Sequence, residues 1–519
     1  MRTTKTWTLV LLLSLFCISC RADICKAAPP AIPFSDPNNV ADVQLSIGPA
    51  GNIIALGLIN PGSALEAVIY NAQTQTWSSP PEMLSSSTAS DPIIETDSKG
   101  NAIAAWFQGN QVWASFYEAF NKTWTTSQQI SSASASASPA TVQIGFLGST
   151  GGMVIWAANE GSYFVESSIF DGTAWQTCAH TIPQTQAISE VHLGTTDSGH
   201  ALALWLHGST PFASIYHPNT HCWGIPQSFT NPITTTSFFP ILATSNAGPS
   251  AASWLTKAGS SYALELLPLS VPFPIDQYLS YMMDSFQNPD HFYHQSAISP
   301  NGNSFHLWQR AGGSGLIIQA NSINVVSGTG SDTVEFADFS SSAINPQLQL
   351  KSDHHGNAIG AWVDPSAPTD IKQATYSAQQ GTWGSPETIS GNAPIQNLTL
   401  SVNGAGNYAV AWIESASALV EFDNTPAAPS NLTVYEITNR FPFQGEHSHQ
   451  LNWKASTSPD VVQYKVYKEN TLLTILPNST TTFRVHNCPA DTVATYFVYS
   501  VSAQGIVSLA ASVTFNPQD

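Results

Sequence analysis

Hydrophobic and polar positions along this chain alternate in a way that predicts short β-strands joined by tight turns. Residues 346–352 alternate apolar and polar side chains, as a strand with one buried face does. Residues 353–357 form a turn in which Gly356 can adopt positive φ. Residues 357–363 are nearly all apolar, which is typical of a strand covered on both faces. Two further strands, at 371–377 and 385–390, complete a four-stranded unit.

This unit recurs along most of the chain, and a large apolar residue marks the same place in each copy. The anchors are Leu56, Trp106, Trp156, Trp205, Trp254, Trp308, Trp362 and Trp412. By subtraction their separations are 50, 50, 49, 49, 54, 54 and 50 residues. A fixed period of this size indicates a β-propeller, in which no unit can bury both of its faces alone. We therefore expect an eight-bladed propeller over residues 23–425, with seven blades as the alternative, and Trp residues that pack between blades.

The two ends of the repeat region complement each other. The eighth repeat supplies only three strands, at 395–402, 408–413 and 418–423. The segment 28–35 resembles the outer strands at 78–84 and 385–390. We expect the N-terminal segment to complete the last blade, because closure removes the exposed edge of an open array.

After residue 425 the period stops and a different pattern begins. Residues 426–519 contain Trp453 on a predicted second strand, Tyr464-Lys-Val-Tyr467 on a third, and aromatic residues at 496–499. This region resembles a fibronectin type III domain of the bacterial extracellular kind. The resemblance implies a seven-stranded β-sandwich that serves as a spacer or adhesive module. It leaves open whether Tyr496, Phe497 or Tyr499 forms the tyrosine corner. The repeat region, in turn, resembles secreted bacterial β-propeller proteins, although no repeat carries a diagnostic motif.

The N-terminus is typical of an export signal over residues 1–22. Arg2 and Lys5 precede an apolar run at 9–18, and cleavage after Ala22 fits the small-residue rule. Alternatively Cys20 is lipid-modified, since residues 17–20 weakly resemble a lipobox that has Cys17 where Leu is expected. No later segment is long and apolar enough to cross a membrane. We expect an exported protein that is secreted, periplasmic or at the cell surface.

Charge and cysteine content exclude some classes of protein. The net charge of −19 argues against a nucleic-acid partner, because phosphates need clustered Lys and Arg. After cleavage the cysteines are Cys25, Cys178, Cys222 and Cys488, which are too few for a disulfide framework. A Cys178–Cys222 bridge is an alternative to separate buried thiols, which we favour.

No assembled catalytic or cofactor motif occurs in the chain. The repeat region has a single arginine, Arg310, whereas sialidase-type propellers hold an acidic substrate with three. Residues 168–175 resemble a degenerate form of the aspartate box of those enzymes, which is a structural turn. Histidines gather in the fourth repeat, but His217 and His221 fall at a hairpin where their spacing does not favour a metal site. We expect no catalytic residue, no metal and no cofactor.

The segment most typical of a binding site is an insertion at Tyr281–His291, between the fifth and sixth repeats. Loops after the second and fourth strands of each blade should share one face, and exposed aromatic and Met side chains there suggest a binding surface. The candidate residues are Tyr281, Met282, Met283, Phe286, Asp290, His291, Arg310, Asp364 and Asp370. Alternatively the loop folds onto the blade with Tyr281 and Phe286 packed inside. A cation held by Asp284, Asp290, His291 and His294 is a weaker alternative.

The function expected from these observations is non-enzymatic recognition or adhesion, with a protein or glycan bound through the propeller's loop face. The alternative is a carbohydrate-active enzyme that uses two carboxylates in the central depression. A carboxylate pair at the axis with a raised pKa on one member would favour the enzyme. A channel lined by small uncharged side chains would favour recognition.

Overall fold

The computed structural model describes residues 29–517, and every regular element in it is a β-strand. Its gaps are 61–62, 73, 75, 87, 133–135, 138–140, 149–150, 160–161, 177–179, 185–186, 209, 229–236, 259, 271–280, 287–291, 312–314, 340–344, 379, 405, 423–425, 441–444, 459–460, 469–470, 490–492, 503–507 and 509–510. Within this described part, no helix is long and apolar enough to span a membrane.

Antiparallel sheets follow one another along the chain. Sheet 1 contains β1 Val40–Ile47, β2 Ile53–Ile59, β3 Ala64–Asn71, β4 Thr76–Trp77 and β5 Glu82–Ser85. Sheet 2 contains β6 Ala89–Thr96, β7 Ala102–Gln108, β8 Gln111–Glu118, β9 Thr123–Trp124 and β10 Gln128–Gln129. Sheet 3 contains β11 Ser136–Ala137, β12 Gln143–Leu147, β13 Gly151–Asn159, β14 Tyr163–Phe170 and β15 His180–Gln184. Sheet 4 contains β16 Ile188–Thr195, β17 Ala201–His207, β18 Thr210–His217, β19 Cys222–Trp223 and β20 Gln227–Ser228.

The same order of strands continues through the second half of the repeat region. Sheet 5 contains β21 Ser237–Thr244, β22 Pro249–Ala258, β23 Ser261–Ser270 and β24 Tyr281–Phe286. Sheet 6 contains β25 Tyr293–Ile298, β26 Asn303–Ala311, β27 Leu316–Asn324 and β28 Val334–Phe339. Sheet 7 contains β29 Gln349–Ser352, β30 Ala358–Val363, β31 Asp370–Ser377, β32 Thr382–Trp383 and β33 Glu387–Ser390. Sheet 8 contains β34 Ile395–Val402, β35 Tyr408–Glu414 and β36 Ser417–Phe422.

The first long strand of each sheet, here called its inner strand, contacts the inner strand of the next sheet. The inner strands are β1, β6, β12, β16, β21, β25, β29 and β34, and β34 in turn contacts β1. Sheets that succeed one another around a common axis define a β-propeller. The anchor Trp residues on the second strands are buried between neighbouring sheets, as expected: Trp106, Trp156, Trp205, Trp254, Trp308, Trp362 and Trp412.

A five-residue turn joins the inner strand to the second strand, and its sequence explains its shape. In sheet 2 the Asp97 amide donates to the Asn101 carbonyl at 2.9 Å, and Gly100 adopts a φ of 87° that favours glycine. The Asn101 side-chain oxygen accepts a bond from the Ala119 amide at 3.0 Å, which ties the turn to the end of the third strand. The same Asn-to-backbone bond joins Asn52 to Ala72 and Asn357 to Ala378.

The described N-terminal segment lies along the last propeller sheet. Ala31 and Leu419 form an antiparallel bridge, and the Ile32 amide donates to the Ala418 carbonyl at 2.9 Å. Ile32 and Phe34 are buried in the core that sheets 8 and 1 share. This segment therefore contributes side chains to the junction between the first and last sheets.

The C-terminal region forms two further sheets that share one core. One contains β37 Ser430–Arg440, β38 Gly445–Lys454 and β41 Thr482–Val485, and the other contains β39 Val461–Lys468, β40 Thr471–Pro477, β42 Ala494–Ser502 and β43 Ala511–Phe515. Trp453, Tyr464 and Tyr496 are buried between them. Tyr496 is the fully buried aromatic of its strand, and its hydroxyl lies 2.7 Å from His449 Nδ1.

Candidate functional site

A central cavity of about 940 Å³ lies at the propeller axis, among the C-terminal halves of the inner strands and the turns that follow them. Alternate residues of a strand face the same side, so each inner strand contributes side chains to this wall. The wall consists largely of hydroxyl, amide and small apolar residues, among them Ser46, Gln143, Thr195, Ser296 and Ser401. Such a wall offers many hydrogen-bond donors and acceptors.

Two of the charged side chains on this wall have opposite signs. They are Glu95 on β6 and Lys351 on β29. The Glu95 side chain has accessible surface, but this surface faces the cavity, whose walls are protein. Burial by these walls raises the pKa of Glu95 to about 7, while the charge of Lys351 acts to lower it. Glu95 therefore changes its charge near neutral pH.

Among the described residues, three further carboxylates line this mouth of the cavity, and two of them, Asp97 and Asp353, are engaged in turns; the third is Asp197. Asp97 accepts bonds from the amides of Lys99 and Asn101, each at 2.8 Å, and from the Asn101 side chain. Asp353 is held in the same way by the amides of His355 and Asn357. Burial raises the pKa of Asp353, but bonds from His355 and Asn357 outweigh it and hold that pKa below its usual value. Asp97 and Asp353 shape the turns and are committed to them.

At the opposite ends of the inner strands, β-bulges present a second set of polar residues. Asp91, Glu190 and Asn397 occupy bulges with φ of 47°, 54° and 52°. Asp42 lies at the equivalent bulge of β1 and accepts a hydrogen bond from Asn397. Burial raises the pKa of Asp42, its amide bonds lower it, and the Asp91 charge adds to the rise. Sequence reasoning missed both the charged residues of the cavity wall and these bulge residues.

The expected insertion at 281–291 is, in its described part, not a loop. Residues 281–286 form β24, the fourth strand of sheet 5, and pair with β23. Sheet 5 needs this strand to cover its outer edge, and the absence of the fourth-strand Trp hid it in the sequence. Phe286 is buried against Phe292, Met283 packs against two cores, and Met282 is exposed. Asp290 and His291 lie outside the described residues, and so does the side chain of Tyr281.

Arg310 forms a structural ion pair. Its Nε lies 2.6 Å from Asp284 Oδ2, and the same oxygen accepts a bond from Trp308 Nε1 at 3.0 Å. Arg310 also donates to Gln319 and lies 6.0 Å from the Phe286 ring centroid. Asp284 thus links β24 of sheet 5 to β26 of sheet 6, and Arg310 is committed to this junction.

Asp364 and Asp370 bound a compact turn after the second strand of sheet 7. Asp364 is buried and accepts bonds from the Ser366 amide and hydroxyl, and Lys372 lies 3.6 Å away. The Asp364 amide donates to the Asp370 carbonyl at 2.8 Å. The structure therefore gives Asp364 a turn-capping role.

The described histidines of the fourth repeat lie in separate side-chain contacts. His200 and His217 meet edge to face with ring centroids 5.8 Å apart, and His221 lies 3.2 Å from the Tyr216 hydroxyl. Among the described residues, no three His, Cys, Asp or Glu side chains form a group that could hold a metal ion. Cys222 is free and exposed rather than buried, because it lies on the short outer strand β19, and Cys178 lies outside the described residues.

A buried Ser–His network between sheets 5 and 6 also escaped the sequence analysis. Ser253 lies 2.8 Å from His294 Nε2 and 2.8 Å from Ser296, and Ser296 lies 2.9 Å from His306 Nδ1. Ser296 reaches the cavity wall. Burial lowers the pKa of both His294 and His306 to about 3. A histidine with so low a pKa is a weak general base near neutral pH, so the network is poorly suited to activate Ser296.

Comparisons with known proteins give structural likenesses only. No protein-family model matches this chain, and no curated protein matches its sequence. The chain is similar to the WD40 domain of SCAP from fission yeast, with 11% identity over 74% of this chain and 94% of that one and a TM-score of 0.43. It is also similar to the Dos1 propeller, with 9% identity over 76% and 94% of the two chains and a TM-score of 0.44. A polysaccharide lyase of family PL25, an ulvan lyase, aligns at 11% identity over 76% and 95%, with a TM-score of 0.36. Because the identities are near 10% and the TM-scores are below 0.5, these likenesses carry no argument about function.

Proposed function

We propose that this protein is a non-enzymatic recognition protein that binds a protein or glycan through its propeller. The observation that carries the proposal is the chemistry of the axial cavity. Its wall offers hydroxyl and amide groups, Asp97 and Asp353 are committed to turns, and the charge that acts on Glu95 is that of Lys351; Asp197 is the further carboxylate on the described wall. Such a surface recognises hydroxyl-rich or peptide ligands by hydrogen bonding.

The proposal includes an eight-bladed ring closed by the N-terminal segment. Its support is the contact of each inner strand with the next, including β34 with β1, and the pairing of Ala31 with Leu419. The two C-terminal sheets, with Trp453 and Tyr464 between them, support a fibronectin type III domain that acts as spacer or second contact. Export through residues 1–22 also belongs to the proposal. Mass analysis of the mature N-terminus would separate cleavage after Ala22 from lipidation at Cys20.

The ligand face differs from the one that the sequence suggested. The sequence favoured the loops after the second and fourth strands, around Arg310 and Asp364. Both side chains are held in structural contacts, whereas the cavity is bounded by the turns after the inner strands. We therefore assign the binding face to the mouth that carries Glu95 and Lys351.

One observation favours the enzymatic alternative. Asp42 and Asp91 lie on neighbouring inner strands near the axis, and the pKa of Asp42 is raised. A protonated carboxylic acid beside a carboxylate is the arrangement that glycosidases use. Glu95 does not complete such a pair with Asp91, because four residues of extended strand place the two roughly 13 Å apart.

An array of neutral glycans, acidic glycans and peptides would test the recognition proposal. We expect Glu95→Gln and Lys351→Gln to change affinity for the bound class severalfold, because both side chains line the cavity. Asp370→Asn serves as the matched control on the loop that the sequence favoured. If Asp370→Asn alters binding and the two cavity variants do not, the assigned face is wrong. If the full chain binds nothing on the array, the recognition proposal fails.

A further inference from the structure

We propose that a second pocket, between sheets 1 and 2, binds an acidic saccharide unit, meaning a hexose-sized ring that carries a carboxylate or sulfate. This inference rests on the proposed function and names a ligand class for it. The pocket has a volume of about 340 Å³, within the size range of small-molecule sites. Pro49 and Thr96 line both this pocket and the axial cavity, so the two spaces adjoin at the same mouth.

The walls of this pocket are amphipathic. Ile54, Ile69, Tyr117 and part of Trp77 supply an apolar surface, and Asn71 and Thr74 supply polar groups. A sugar ring has one apolar face and a hydroxyl-bearing rim, and it packs well on such a surface. The pocket exists because a side chain between sheets 1 and 2 is shorter than its equivalent between sheets 2 and 3. Phe116 stacks on Phe170 at 4.3 Å between sheets 2 and 3, whereas Ile69 is the equivalent, shorter side chain between sheets 1 and 2.

Two lysines, Lys99 and Lys122, line the pocket and give it its charge preference. Cationic residues are rare here, since positions 28–423 of this acidic chain contain only six. The other four lie elsewhere: Lys257, Arg310 and Lys372 in sheets 5, 6 and 7, and Lys351 in the axial cavity. Two ammonium groups at one pocket favour an anionic ligand.

Neither lysine is required by the fold at its position. Lys99 occupies the third place of the five-residue turn, where Ala50, Ser198 and Asn301 serve in other sheets. Lys122 adopts a φ of 56°, and the equivalent residues of sheets 4 and 7 are His221, with a φ of 54°, and Gly381, with a φ of 70°. The left-handed turn therefore accepts other residue types, and the fold does not demand a lysine there.

Calorimetric titration of the full chain tests this inference with three probes: an oligosaccharide of glucuronic acid, a neutral glucose oligosaccharide of equal length, and sodium sulfate. Free glucuronic acid, as a fourth probe, separates a polymer ligand from a single sugar. We expect the acidic oligosaccharide to bind at least tenfold more tightly than the neutral one. Added salt should weaken the binding of the acidic oligosaccharide, because salt screens charge–charge attraction. Lys99→Gln and Lys122→Gln should each weaken it roughly three- to tenfold, while Lys257→Gln, the matched charge change on sheet 5, should leave it unchanged.

Other outcomes overturn the inference. The inference is wrong if the acidic and neutral oligosaccharides bind with equal affinity, or if the acidic probe does not bind. It is also wrong if both lysine variants bind the acidic probe as the parent does. Sulfate binding as tight as that of the acidic saccharide would indicate a simple anion site instead. If the acidic probe binds and responds to Glu95→Gln but not to the lysine variants, the recognition proposal stands and this pocket is wrong. If the probe is cleaved, the recognition proposal itself fails.

Discussion

The Ile32 amide donates a hydrogen bond of 2.9 Å to the carbonyl oxygen of Ala418, so the described N-terminus is paired with the last propeller sheet. Two residues further on, Phe34 enters the core between that sheet and the first. Its ring occupies the space where a side chain on Gly57 would lie, since a Cβ there would approach the ring atoms to 2.5 Å. The N-terminal segment therefore explains a glycine in the middle of strand β2.

Gly57→Ala should destabilise the protein by about 2 kcal/mol, because the new methyl group displaces Phe34 from a packed core. Phe34→Ala alone should cost about 3 kcal/mol through the cavity that it leaves. The double variant should lose little more than Phe34→Ala, since the clash is then absent. Urea unfolding of the four proteins measures these values. Additive losses would show that Phe34 does not fill the space at Gly57.

Asp284→Ala should cost about 2 kcal/mol, because it leaves the Trp308 ring N–H and the Arg310 guanidinium without their shared acceptor. Met282→Ala, on the same strand with 69% of its side chain exposed, should change stability by less than about 0.5 kcal/mol. Thermal unfolding compares the two. An Asp284→Ala variant as stable as the parent would contradict the structural role of this ion pair.

Stability should fall as the pH drops below about 6.5, where histidines in the unfolded chain take up protons. Burial holds the pKa of His294 and His306 at about 3 in the folded protein, so the unfolded state binds more protons between these values. By pH 5, the protonation of each histidine in the unfolded chain should lower the free energy of unfolding by about 2 kcal/mol.

His306→Gln provides the control for this pH dependence, because Gln is polar but does not titrate. Its unfolding free energy should fall less steeply between pH 7 and pH 5 than that of the parent. Equal slopes for parent and variant would show that His306 is not the group responsible.

The sequence predicted the repeat architecture because anchor residues such as Trp362 mark the same packing position in each copy. It failed at β24, where Met282, Met283 and Asp284 follow neither an alternating nor a fully apolar pattern. The charged side chains of the central cavity were predictable in part. Glu95 and Lys351 each lie two residues before the first residue of a turn, which is Asp97 in sheet 2 and Asp353 in sheet 7. Which of these side chains converge at the axis depends on ring closure, which a linear pattern does not encode.

The central claim is that the propeller binds without catalysis. The most direct test incubates the full chain with acidic and neutral polysaccharides. It measures two quantities: the binding of each polymer to the protein, and the new reducing ends and unsaturated products that cleavage would release. We predict retention of at least one polymer, changed by Glu95→Gln, with no turnover. Turnover that disappears in Asp42→Asn or Asp91→Asn would contradict the account and identify a two-carboxylate enzyme.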